Sequence, residues 1–296
     1  VRKDGASRFA KATADAVFPS GSLAWLVSSE DWYDSSVFDT LKIRASYGEL
    51  GNQEIGISNA DINISGISEA TGAYVYGGSG GATAGAVIQS KGNPLLTWET
   101  MTSKNFAIDA GFLDNKLTVV LDIFENVTEG LVAQDTQKIS TTAIDASAPY
   151  TNLGSMKSSG FDMSLNYGDT TSSGLTYSIA ANLTKATSEV TELISDFYSG
   201  YSNRVGTMTR TSPGEPVSYF YGRNVLGIFQ TAAEVAAHAS QDGAGVGRFK
   251  YEDINNDGVI NDADRTKIGD PHPDLLFGVN MNFQYKNWDM SMFWNG

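Results

Sequence analysis

The chain has 296 residues and a formal net charge of -14, from 20 Lys and Arg against 34 Asp and Glu, and it has no cysteine. That charge excludes a nucleic-acid binder, which needs clustered cations, and the missing thiols exclude a disulfide scaffold and thiolate metal sites. No stretch approaches ~18 consecutive apolar residues, so no membrane-spanning helix is expected.

A composition with 31 Gly, 11% aromatics and 7 Pro suits many strands joined by turns. In chain order, strands are predicted at 16–27, 41–47, 96–113, 116–126, 160–167, 175–185, 276–285 and 288–294. Four of them alternate almost perfectly. Phe106, Ile108, Ala110 and Phe112 interleave with Asn105, Ala107, Asp109 and Gly111. Phe161, Met163, Leu165 and Tyr167 interleave with Asp162, Ser164, Asn166 and Gly168. The segments from Leu175 and from Phe277 repeat the pattern. A period of two puts apolar residues on one face and polar residues on the other. A soluble antiparallel sandwich shows the same alternation. The loops separate the two readings.

Asp114-Asn115, residues 168–174 and Lys286-Asn287 are short, turn-like connections. Residues 127–159 and 186–275 are long ones. Following the strands up and down places every short turn at one end and every long loop at the other. Transmembrane barrels have this asymmetry, with short periplasmic turns and long extracellular loops. Phe112, Tyr167, Tyr177, Tyr285 and Trp288 lie near the short turns, where an aromatic girdle belongs. The fold class expected is therefore all-β: an antiparallel transmembrane β-barrel portion. Its polar, lumen-side positions include Asp109, Asp122, Asp162, Asn166, Asn182, Asn280 and Asn282. Val1 starts in mid-pattern and Gly296 follows the strand-like residues 288–294, so residues 1–296 are read as part of a barrel domain of a longer protein.

The loops carry three further features. Residues 77–85 are glycine-rich but lack the Gly-Lys-Ser/Thr ending of a phosphate loop. Residues 231–240 predict a short helix with Thr231 as N-cap and Glu234 completing a capping box. Residues 253–264 follow the spacing of a calcium loop. Asp253, Asn255 and Asp257 supply side-chain oxygens, Gly258 the sharp turn and Val259 a carbonyl. Asn261 acts directly or through water, and Asp264 closes the site where a glutamate is usual. A structural Ca²⁺ is the expected cofactor; an Asx-rich turn held by its own backbone bonds is the alternative. Tyr198, Tyr201, Tyr219 and Tyr221 are candidate ligand-stacking residues, or else pack the loop and a partner. His238 and His272 are far apart with no cysteine beside them, so neither a zinc site nor a Ser-His-Asp triad is expected, and no enzyme.

Several segments resemble one family in order. They are Leu41-Lys42-Ile43-Arg44-Ala45-Ser46-Tyr47-Gly48 with Gly51-Asn52-Gln53, and Gly92-Asn93-Pro94 with Leu96-Thr97-Trp98-Glu99-Thr100. Residues 152–161 follow, then Gly214-Glu215-Pro216 with Tyr219-Phe220-Tyr221-Gly222 and Gly227-Ile228-Phe229-Gln230. The calcium-type loop with Asp264-Arg265, Ile268-Gly269 and residues 271–273 ends the series. Together they resemble the SusC/RagA-type TonB-linked outer-membrane transporters. The resemblance implies a large barrel with an internal plug, in the outer membrane of Bacteroidetes-like bacteria, with the plug domain and the final strands outside residues 1–296. It implies import of oligosaccharides or peptides under a SusD-like surface lipoprotein, energised by the TonB complex through an N-terminal region outside this chain. Outer-membrane lipid is an implied partner and nucleic acid is not. The alternative from another class is an extracellular calcium-dependent binding or adhesion module, motivated by residues 253–264. A dockerin-like module would need a second such loop and flanking helices, and neither appears.

Overall fold

The computed structural model describes residues 1–54, 93–134, 150–194, 196–199 and 207–296, with four short strands between residues 63 and 90. It forms two compact units, one of residues 1–187 with 275–296 and one of residues 188–274.

The first unit is built on an eight-stranded sheet. Its strands are β1 (Ser20–Leu26), β2 (Thr40–Asn52), β3 (Glu99–Phe112), β4 (Leu117–Gln134), β5 (Tyr150–Thr170), β6 (Leu175–Leu193), β7 (Leu276–Tyr285) and β8 (Trp288–Asn295). Spatial order equals chain order, an up-and-down meander. The connections 27–39, 113–116, 171–174 and 286–287 lie at one end of it. Longer connections lie at the other. The tight turns use left-handed backbone: Leu113, Asp114 and Asn115 all have φ near +58°, and Lys286 has φ +53°. At the last turn the left-handed residue is thus Lys286, with Asn287 following it.

Register fixes the faces. Ile43 pairs with Ile108, Ile108 with Leu121, and Leu121 with Met163. Ile179 pairs with Met281, and Met281 with Met292. The Tyr167 and Tyr177 rings lie 5.8 Å apart and join the two halves on one face. One apolar face therefore runs unbroken across the sheet, with Leu23 and Trp288 each 80% exposed at its margins. Ten residues of β7 match the 9–11 that a tilted strand needs to cross a bilayer.

Several predicted boundaries move. Residues 127–134 and 150–159 were expected in a loop but continue the ladder between β4 and β5. Alternation is required only where one face meets lipid; backbone pairing continues beyond it with polar residues such as Thr128, Ser155 and Ser158. Gly130, at φ +69°, makes a bulge where the register shifts. Likewise β6 runs on to Leu193, into the predicted loop 186–275. The predicted strand 16–27 is cut at Pro19, which has no N–H to donate. Asp15–Phe18 pairs instead with Arg2–Gly5.

The unit's buried core is small, and two motif residues, Leu96 and Trp98, lie in it. Ala6, Phe9, Phe18, Leu96 and Trp98 pack together. The Trp98 ring lies 5.4 Å from Phe9 and 5.5 Å from Phe18, and its indole N–H donates to the Ala14 carbonyl at 3.2 Å. Gly51 is a glycine because Phe18 covers it: a Cβ there would stand 2.0 Å from the ring. Asn152 accepts from Thr97 N–H at 3.1 Å. It donates to the Thr97 carbonyl at 3.0 Å and the Gly130 carbonyl at 2.7 Å. The segments around Gly51, Thr97 and Asn152 are thus held at one place for packing reasons.

The second unit has a four-stranded sheet of Phe197–Ser199, Thr209–Thr211, Tyr219–Arg223 and Arg265–Gly269. A ribbon pairs Val225–Ile228 with Phe249–Tyr251, and Ser240–Gln241 lies parallel to Val259–Ile260. The predicted helix is α1 (Ala232–Ala237). Thr231 accepts from Glu234 N–H at 3.2 Å, while the Glu234 carboxylate accepts from Gln230 N–H, one residue earlier than in a capping box. Residues 77–85 and Tyr201 lie outside the described side chains. No helix of the described residues is long and apolar enough to cross a membrane, which says nothing against crossing by strands.

Candidate functional site

The face opposite the apolar one carries the candidate transport surface. All seven lumen-side positions fall on it by register: Asp109 opposite Lys42, Asp122 opposite Asp162, Asn166 opposite Thr118, Asn182 opposite Gly278, Asn280 opposite Ala180, and Asn282 opposite Ser178. Arg44 ties three strands together. Its Nε donates to Asp109 at 3.0 Å and its Nη2 to Asp109 Oδ1 at 2.7 Å and Asp122 Oδ2 at 3.3 Å. A forked contact of this kind fixes orientation as well as charge. Thr184 donates to Asp162 at 2.6 Å, and Ser291 to Asn282 at 2.8 Å. Val120, Phe124 and Phe293 lie among these polar residues, and Leu26, Leu50, Met101, Met156 and Leu276 share the face toward the strand ends. Lys42 and Arg44 were not singled out for this face from the sequence; their alternation with Leu41, Ile43 and Ala45 was the available signal.

The calcium-type loop is shaped by its own acceptors. Asp253 Oδ1 and Asn255 Oδ1 both accept from Asp257 N–H, at 3.2 and 3.1 Å, so these two oxygens converge. Asp253 Oδ2 accepts from Gly258 N–H at 2.9 Å, and Asp257 Oδ1 from Val259 N–H at 2.8 Å. Asn256 (φ +57°) and Gly258 (φ +83°) make the bends. The Asn255 amide donates to Asp257 Oδ2 at 2.9 Å, and the Asn261 amide lies 3.4 Å from the Val259 carbonyl. Asp264 is fully buried. It accepts from Ile254 N–H at 3.0 Å and Asn261 N–H at 2.8 Å, closing the loop and capping the 3₁₀ turn Asp262–Asp264. The Asn261 backbone N–H above all holds the Asp264 carboxyl below its usual range, with the Ile254 and Asn255 backbone N–H groups and the Arg223 charge adding and burial opposing.

Among the described residues no three His, Cys, Asp or Glu side chains gather as a metal cage. A cation in the loop would thus rest on Asp253, Asn255 and Asp257 together with carbonyl and amide oxygens. Each of these carboxylate oxygens, having accepted one N–H, keeps a second lone pair, so the converging set fits a hard cation.

The tyrosines divide. Tyr219 is 3% exposed, with its hydroxyl 2.9 Å from Ser212 Oγ, so it packs the interior of its unit and is not a stacking surface. The Tyr221 ring has Arg210 at 5.0 Å and Arg265 at 4.8 Å, a cation–π arrangement. Tyr198 stands opposite Arg210 in the sheet register. Both histidines serve backbone: His238 Nε2 lies 2.9 Å from the Tyr251 carbonyl, and His272 Nε2 lies 3.3 Å from the Val217 carbonyl.

The fold is shared with known proteins. A family model described as TonB dependent receptor-like, beta-barrel, matches residues 1–270. The chain is 30% identical to TonB-dependent receptor P3 of Formosa agariphila, across 99% of this chain and 29% of that protein. It is 26% identical to TonB-dependent receptor SusC of Bacteroides thetaiotaomicron, across 98% of this chain and 28% of that one. A solved structure of the RagAB peptide transporter superposes with a TM-score of 0.74 at 20% identity, covering 98% of this chain and 30% of that chain. The chain thus spans less than a third of these relatives. They are receptors and transporters rather than enzymes, and barrels of this kind sit in the outer membrane. The chain belongs to the TonB-dependent receptor family and supplies part of its outer-membrane β-barrel.

Proposed function

We propose that this chain is part of the wall and outer loops of an importer of oligosaccharides or peptides, driven by TonB and covered by a SusD-like lipoprotein. The observation that carries the reading is the single sheet with one unbroken apolar face and one hydrophilic, ion-paired face. Such a wall separates lipid from a watery passage. The likeness to SusC and to the RagAB peptide transporter supports import and a lipoprotein partner. Deleting the full gene and measuring growth on single polymers tests it. Loss of growth on one glycan or on peptides is expected; unchanged growth on every polymer tested contradicts import. Co-purification of a surface lipoprotein with the full protein tests the lid.

The same proposal includes a structural Ca²⁺ on Asp253, Asn255, Asp257, Val259, Asn261 and Asp264, supported by the converging oxygens of Asp253 and Asn255. Millimolar affinity suffices outside the cell. Calorimetry on chelator-treated full protein should show binding that Asp253→Asn with Asp257→Asn abolishes; no heat and no thermal shift at ~10 mM Ca²⁺, well above the ~10⁻⁴–10⁻³ M of extracellular sites, would remove the ion. An adhesion module gains no support, because it has no use for an unbroken lipid-width apolar face.

A further inference from the structure

One arm ties the calcium-type loop to the rest of its unit. Ser240–Gln241 lies parallel to Val259–Ile260, and the Ser240 N–H donates to the Gly258 carbonyl at 2.8 Å. A short two-stranded pairing is marginal by itself, so the place of Ser240–Gln241 depends on where the arm Gly258–Ile260 stands. Ile260 is buried and seats that arm. Beyond it, Arg223 donates to the Asn261 carbonyl at 3.0 Å and to Asp262 at 3.1 Å. Gln241 carries the connection onward. Its Nε2 donates to the Phe249 carbonyl at 2.8 Å, and its Oε1 accepts from Tyr251 N–H at 3.1 Å. His238 Nε2 lies 2.9 Å from the Tyr251 carbonyl. These groups line the edge of Phe249–Tyr251 turned away from Val225–Ile228; toward the ribbon partner, the Arg248 carbonyl accepts from Phe229 N–H and the Glu252 N–H donates to the Asn224 carbonyl. Gln241 and His238 thus stand in for a third strand along that edge. The ribbon they complete exposes Val225, Leu226, Ile228 and Phe249.

The loop at the other end of this connection concentrates like charge. Glu252, Asp253, Asp257, Asp262 and Asp264 follow one another between residues 252 and 264. Among the described residues, the ion pair these carboxylates make is that of Asp262 with Arg223. A bound cation offsets their repulsion and draws Asp253, Asn255 and Asp257 together. A loop with few buried contacts opens locally at small cost, and its arm opens with it.

We propose that Ca²⁺ occupancy of residues 253–264 is transmitted to the apolar ribbon 225–228 and 249–251, with Gln241 as the positioning residue between them. The ion fixes the arm, the arm fixes Gln241, and Gln241 closes the ribbon's edge. The inference rests on the calcium reading and goes beyond it, since an ion without this connection orders only its own loop. Coupling is reciprocal, so loss of the Gln241 side chain also weakens the ion.

The test uses the full protein in detergent, stripped with chelator and then titrated with Ca²⁺. Calorimetry reads binding. Hydrogen exchange by mass spectrometry reads the loop and, apart from it, the Phe229 amide, which bonds across the ribbon to the Arg248 carbonyl. Calcium is expected to slow exchange at Phe229 about fivefold or more, as well as within residues 253–264. Gln241→Ala is expected to keep a heat of binding with several-fold weaker affinity, to keep the slowing within the loop, and to lose it at Phe229. Slowing confined to residues 253–264 in the native protein overturns the coupling and leaves the ion in place. So does slowing at Phe229 that persists undiminished in Gln241→Ala. No heat with the native protein removes ion and coupling together. The native comparison needs no variant, so it decides the matter even if Gln241→Ala does not fold.

Discussion

The sheet of the first unit and the inserted unit 188–274 reach order by different means. The sheet is ordered by repetition. Each strand carries the same two-residue pattern, each pairing carries it to the next strand, and few side chains are individually indispensable. The inserted unit has short strands, one six-residue helix and little regular pattern. It depends on single polar contacts: Asp264 on two backbone amides, Lys267 on Glu215 at 2.6 Å, and Arg265 on the Tyr221 ring. A repeated pattern tolerates the loss of one member. A set of unique contacts does not.

That contrast can be broken most severely where the sheet departs from repetition. Trp98→Ala in the full protein should cost ~3–5 kcal/mol, the range for emptying a buried aromatic site, because Trp98 joins Phe9, Phe18 and Ala14 at one point. Thermal unfolding measures it, and a loss near zero would mean that the motif core is not structural. Next comes the lipid face. Ile108→Lys should cost ~2–4 kcal/mol in a bilayer, whereas Ser164→Lys on the opposite face should stay within ~0.5 kcal/mol. Equal costs would erase the distinction between faces. Asn152→Ala should cost ~0.5–1.5 kcal/mol, since it removes hydrogen bonds to Thr97 that water can replace and one to the half-buried Gly130 carbonyl.

In the inserted unit the comparison sharpens with pH. The Asp264 carboxyl sits below its ordinary range in the folded protein. Its stabilising contribution is therefore fully present above the unfolded value of about 3.9 and is lost as pH falls through the lower folded value. Asp264→Asn should remove that component of acid sensitivity, seen as a flatter melting profile below about pH 4. An unchanged profile would place the acid sensitivity elsewhere. The smallest effect is expected at Thr231→Ala, at most ~1 kcal/mol for an N-cap, detected as faster amide exchange confined to α1.

Legibility in the sequence follows the same division. Alternation located all eight wall strands, and β7 to the residue, because one face must be apolar for as long as it meets lipid. It stopped short at Asn126 and Gly160, because the ladder beyond the lipid needs only backbone pairing. The break at Pro19 was missed although its missing N–H announced it. Gly51 and Asn152 were legible as parts of a resemblance, but not as partners of Phe18, Thr97 and Gly130, since long-range contacts leave no local pattern. In the inserted unit the Asx spacing of residues 253–264 and the Thr231 cap were readable, being local. The burial of Tyr219 was not, because a tyrosine that packs and one that stacks on a ligand look alike in sequence.

The central claim is that one face of the sheet meets lipid and the other water. The chain has no cysteine, so single cysteines at positions 118–122 and 162–166 of the full protein, in a cysteine-free background, can each carry a spin label in outer-membrane lipid. Accessibility to oxygen and to a water-soluble nickel complex is then compared residue by residue. The account predicts a period of two, with Val119, Leu121, Met163 and Leu165 open to oxygen and Thr118, Asp122, Ser164 and Asn166 open to nickel. A flat profile, or the opposite phase, would contradict it.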